Sequence, residues 1–184
     1  MKVLLSVIST VFVCSTSLGQ GYSKALIDSF CNSTIEYYYT EVARPNDSLK
    51  AVSHKPRNLL VLKSDVTQSL RTQYDQFIIH FLTQQEALEK ISLTKDRRGV
   101  LDKITVVKVQ DTINIDISGW TVKVTSFKIK NGKPTSIHSN FAAGFGGTSG
   151  YIPTCRFVFD KKENIWVRST WSEIVDAKKN SQDQ

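Results

Sequence analysis

The pattern of apolar and polar residues changes period along the chain. Val3 to Val13 is an almost unbroken apolar run, led by Lys2 and followed by Ser15, Thr16 and Ser17. From Ser23 to about Tyr39, the residues Leu26, Ile27, Phe30, Cys31, Thr34, Ile35 and Tyr38 recur at helical spacing and predict one amphipathic helix. Arg44-Pro45-Asn46-Asp47 stops it. A polar loop to Arg57 then precedes a short buried strand over Asn58 to Lys63, carried by Leu59, Leu60, Val61 and Leu62. Ser64 to Leu82 reads two ways, as a helix or as a strand from Tyr74 to Leu82. The strand reading gains from Thr83-Gln84-Gln85-Glu86, a capping box that opens a new helix with Ala87, Leu88 and Ile91. Gly99 is expected to end that segment.

From Asp102 the period becomes two. Ile104 and Val106 alternate with polar residues, as do Ile113, Ile115 and Ile117, and Thr125, Phe127 and Ile129 are expected to share one side. Asn131-Gly132 marks a tight hairpin, since both positions favour positive φ. Thr154–Asp160 and Ile165–Trp171 make a second hairpin, with Cys155, Phe157 and Phe159 on one face. The residues after Val175 read as a polar tail, disordered from about residue 176.

Helices followed by hairpin-linked strands predict an α+β fold, with amphipathic helices on a curved antiparallel sheet. That layout resembles the NTF2-like or cystatin-like cone folds in topology. Such folds host enzymes and binding proteins alike, so the resemblance leaves function open.

The ends of the chain add a compartment. Ser17 and Gly19 suit the small-residue pockets of a signal peptidase, which puts the expected cut after Gly19. Residues 1–19 then form a signal peptide, and 20–184 a single domain that is secreted or periplasmic. The apolar run is shorter than the roughly 20 residues a membrane span needs. A lipoprotein anchored through Cys14 is the weaker alternative, because Phe12 and Val13 are bulky for a lipobox. Loss of Cys14 leaves Cys31 and Cys155, an even pair that suggests one disulfide in an oxidising compartment, against two buried thiols. Sequons stand at Asn32 and Asn46, the first inside the predicted helix.

The net charge is +7, but its cations are scattered in sequence. They read as a solvated surface, with attraction to anionic partners or membranes as the second reading. No dense basic motif points to nucleic acid. His54, His80 and His138 stand apart, no metal-ligand spacing occurs, and no cofactor is expected. No nucleophile elbow or Cys-His pattern is present. Asp116 is a candidate general base only by type, with a solvent-facing strand residue as the alternative.

Gly144-Phe145-Gly146-Gly147-Thr148-Ser149-Gly150 holds four of the nine glycines. No Lys follows it and no helix opens after it, so it is not a phosphate loop. Gly144, Phe145, Gly146, Gly147, Gly150 and Tyr151 are the candidate ligand or partner loop, with a wide strand connection as the alternative. Trp120, Trp166, Trp171 and Tyr37, Tyr38, Tyr39 suit either a pocket lining or the core, and three consecutive helical tyrosines are expected to leave at least one exposed. The function expected is an exported, non-enzymatic binding or interaction protein. The alternatives are a small cone-fold hydrolase or isomerase and a secreted inhibitor or immunity-type protein.

Overall fold

The computed structural model describes residues 22–42, 57–143 and 153–180. Helix α1 (Lys24–Tyr37) continues into a π-helical turn at Tyr38–Val42. Then follow β1 (Arg57–Leu62), a 3-10 turn (Asp65–Thr67), β2 (Phe77–Leu82), α2 (Gln84–Ser92), β3 (Arg98–Val109), β4 (Thr112–Lys130), β5 (Lys133–Ala143), β6 (Cys155–Asp160), β7 (Ile165–Thr170) and α3 (Trp171–Asn180). The strands make one curled sheet in the order β2-β1-β3-β4-β6-β7. The long β4 gives its far edge to β6 at its start and to β5 beyond.

The local causes are those in the sequence. Ser23 Oγ accepts from Leu26 N at 3.2 Å and caps α1. Thr83 and Glu86 close the capping box of α2 from both sides, at 3.3 and 2.8 Å. Asn131 (φ 51°) and Gly132 (φ 74°) turn the β4–β5 hairpin. Asp160 Oδ1 accepts from Lys162 N at 2.8 Å and from Glu163 N at 3.2 Å, fixing the β6–β7 turn. The first sequon has a structural use: Asn32 Oδ1 accepts from Arg71 N and from the Tyr74 hydroxyl, both at 3.0 Å, which ties the β1–β2 connection to α1.

Four expectations change. The sheet is mixed, because β1 pairs parallel with both β2 and β3. The β1–β2 connection carries no tight-turn pair and returns the chain in the same direction. Gly99 lies inside β3, where a Cβ would sit 2.9 Å from Ile91 Cγ1, so its lack of a side chain lets α2 settle. Val122 and Val124 are buried, whereas Thr125 and Ile129 are exposed and Phe127 is half-buried, after register shifts between Val124 and Lys128. The polar tail is helical over 176–180, where α3 continues to Asn180 with Ile174 buried one turn earlier.

The core has two parts on opposite faces of the sheet. On one face Ile27, Cys31, Ile35 and Tyr39 of α1 and its π turn cover Val61, Phe77, Ile79, Ile104, Ile113, Ile115, Ile117, Cys155 and Phe157. Phe30 stacks on Phe157 with ring centroids 4.0 Å apart. On the other face Ala87, Leu88 and Ile91 of α2 cover Leu101, Val122 and Val124. Successive strand residues face opposite sides, so the buried positions of β4 change from odd (Ile113, Ile115, Ile117) to even (Val122, Val124). The exchange falls at Leu101 and Asp102 of β3, opposite Trp120 and Gly119 of β4.

Candidate functional site

β1 pairs β3 only at Leu60–Leu101 and Val61–Asp102. Toward their N-termini the two strands splay. Arg57, Asn58 and Leu59 therefore face Arg98, Gly99 and Val100 across an unpaired gap. A cavity of about 740 Å³ opens there, closed by Tyr38 and Tyr39 on one side of the sheet and by His80, Lys90, Ile91 and Thr94 on the other. Its walls combine apolar surface from Leu59, Leu60, Ile91 and Val100 with a few convergent polar groups, the usual make-up of a small-molecule site.

Asp102 is the buried polar group of this cavity, 5% exposed. The Tyr39 hydroxyl donates to its Oδ2 at 2.5 Å. The π turn at Tyr38–Val42 supplies that hydroxyl, because its wider turn carries Tyr39 inward beyond Tyr38. None of the three consecutive tyrosines is exposed as a result, which corrects the expectation from ordinary helical spacing. Arg57 Nη2 donates to the Tyr39 carbonyl at 2.7 Å and fixes the turn against β1. Opposite Asp102, Gly119 leaves space that a Cβ would close, since that atom would lie 2.5 Å from Asp102 Oδ1.

Burial holds the Asp102 carboxyl above the ordinary carboxylate range, and the hydrogen bond from Tyr39 offsets part of that rise. The Tyr39 phenol is pushed up by burial first, then by the Asp102 charge and hydrogen bond, so it remains the donor. Tyr38 is pushed up to about 12 by burial, with Asp102 and Asp116 adding to the rise. His80 Nε2 donates to Asn58 Oδ1 at 2.9 Å, and burial followed by the Lys90 charge holds its pKa below the ordinary value. Arg57, Lys90 and Arg98 thus bring three cations to a cavity whose one carboxyl is engaged by a phenol. The arrangement suits a small ligand with an acidic end and an apolar body.

The residues singled out from sequence fall elsewhere. Gly144, Phe145, Gly146, Gly147, Gly150 and Tyr151 lie outside the described residues, as do residues 1–19, His54 and Asn46. Cys31 and Cys155 are buried, unbonded thiols within one core cluster. Their surroundings differ: the Cys31 thiol is pushed up to about 12 by burial, near Asp28 and Lys24, whereas Cys155 is raised by burial beside the Thr34 hydroxyl. Asp116 is half-buried and accepts from Thr154 Oγ1 at 3.3 Å. His138 is exposed on β5. Among the described residues no group of three His, Cys, Asp or Glu side chains is placed to hold a metal. Among them, too, no helix is long and apolar enough to cross a membrane.

Sequence reasoning missed Tyr39, Arg57, Lys90, Arg98 and Asp102 as a group. A signal existed for Asp102, which shares its strand parity with Ile104 and Val106 and so places an acid on an apolar face. The splayed β1–β3 gap left none, because parallel pairing across more than 35 residues has no local signature.

No protein-family model, curated protein or solved structure matches this chain.

Proposed function

We propose that the protein is an exported binding protein whose ligand occupies the cavity between β1 and β3. The observation that carries this reading is the cavity itself, which has cations from three elements at its walls and a buried Tyr39–Asp102 pair. A structural core has no use for a strand pair opened at one end and bordered by Arg57, Lys90 and Arg98. The ligand class is a small organic acid, held by these cations at its acidic end and by Leu59, Ile91 and Val100 along its body. The curled sheet holding α1 supports a cone-type layout of the NTF2-like or cystatin-like kind, from which the parallel β1, β2 and β3 depart.

A second reading, a small hydrolase or isomerase in the same cavity, is favoured by one feature. Asp102 is a carboxyl raised above its ordinary range and aligned by a phenol, which is how a general base is commonly poised. A panel of small carboxylates and organic phosphates, screened by thermal shift and then by calorimetry, separates the readings. Binding should raise the melting temperature and leave the ligand unchanged, and Arg98→Gln should weaken it by roughly tenfold, the effect of one charge-assisted contact. Consumption of a ligand that stops in Asp102→Asn would favour the enzyme. A panel without a single stabilising acid would defeat the acidic-ligand assignment.

A further inference from the structure

The chain contains no Asp or Glu from Ile117 to Phe159. Residues 117–143 of this stretch form most of the β4–β5 hairpin, which extends past the end of β3. Arg98, the first residue of β3, pairs Lys123, so β4 has only β5 beside it from Val124 to Lys130. Val122, Val124 and the half-buried Phe127 pack toward α2. By alternation Lys123, Lys128 and Lys130 belong to the opposite face, together with their cross-strand partners Arg98 and Lys133. All five cations are exposed. None has an ion-pair partner among the described residues.

Two pairs stand directly opposite each other with like charge, Arg98–Lys123 and Lys130–Lys133. Such pairs oppose strand pairing. The hairpin keeps them without a neutralising acid, which is explained if a partner supplies the negative charge. Ile129, 58% exposed between Lys128 and Lys130, belongs by the same alternation to the side of Phe127. Phe127 packs toward α2, and Phe141, opposite Val122, belongs to that same side, so no aromatic ring lies on the cationic face for bases to stack on.

We propose that this hairpin face docks on an anionic lipid bilayer. Lysines near such a surface attract it additively within a Debye length.

The test is co-sedimentation of the full chain with phosphatidylcholine vesicles, with and without phosphatidylserine. Binding should require phosphatidylserine and fall steeply as salt is raised. Lys128→Gln/Lys130→Gln/Lys133→Gln should weaken it by roughly a hundredfold, given the attraction of each lysine. Its melting temperature should hold or rise, because the Lys130–Lys133 repulsion is removed. Ile129→Ser, on the other side of the hairpin, should leave binding and its salt dependence unchanged. Lys161→Gln/Lys162→Gln/Lys179→Gln removes equal charge elsewhere and should bind as the unaltered chain does. Equal binding to neutral vesicles, or equal loss in both triple variants, would overturn the proposal. So would binding to heparin or duplex DNA without binding to phosphatidylserine vesicles.

Discussion

The two halves of the sheet are covered from opposite sides, and they differ in what covers them. Under α1 a broad cluster joins one helix to six strands, with Phe30 stacked on Phe157 and Ile35, Ile113 and Ile115 fully buried. Under α2 a nine-residue helix covers Leu101, Val122 and Val124, and the strands continue past it as a cationic hairpin. Where cover passes from one face to the other, neither helix closes the sheet, and β1 and β3 are free to part. The cavity lies at that exchange. A strand that changes its buried face leaves a place where polar groups can be held without water and yet reached by a ligand.

The largest effect should separate the two cores. Ile35→Ala or Ile115→Ala, deep under α1, should cost about 2–5 kcal/mol. Leu88→Ala, under the smaller α2 cluster, should fall at the lower end of that range because its surroundings can collapse. Denaturant unfolding of both sets measures the difference, and equal losses would remove the distinction between the halves.

The exchange point should respond differently from either core. Tyr39→Phe leaves a buried carboxylate without its donor and should cost about 1–3 kcal/mol. Asp102→Asn should cost less and should change the pH dependence. A carboxyl whose pKa is raised by folding contributes stability that is fully present below its ordinary pKa and is lost as pH rises through the raised value. The unaltered protein should therefore lose stability relative to Asp102→Asn as pH rises from the ordinary carboxylate range toward neutral. Melting curves of the two proteins across that window test this, and parallel curves would contradict a buried, titrating Asp102.

The smallest effect concerns the thiols. Both are buried and protonated, Cys31 with a pKa near 12, so neither should react with a disulfide reagent in the native protein. Both should react in denaturant. No reaction in denaturant would mean that Cys31 and Cys155 are bridged.

Much of the fold was legible because its signals are local. Ser23, the Thr83–Glu86 capping box, Asn131-Gly132 and the Ile113–Ile115–Ile117 alternation each act over a few residues, and each was placed correctly. The parallel pairing of β1 with β2 and β3 was missed, since it depends on contacts far apart in sequence. The π turn that buries Tyr39 was missed as well, because ordinary helical spacing sends that residue outward. On β4 the register shifts after Val124 moved the buried set off the alternation read from Thr125, Phe127 and Ile129. The candidate site combines the first two of these: it joins residues from five elements, and only Asp102, an acid in step with Ile104 and Val106, marked it in the sequence.

Amide hydrogen exchange of the full chain, with and without the acid that most raises its melting temperature, tests the central claim most directly. A ligand held between the splayed strands should slow exchange at Arg57–Leu60 and Arg98–Val100 and in the turn around Tyr39. The β6–β7 hairpin and the β4–β5 tip should stay unchanged. Protection confined to those hairpins, with none at β1 or β3, would show that the ligand sits elsewhere and that the gap between the strands is not its site.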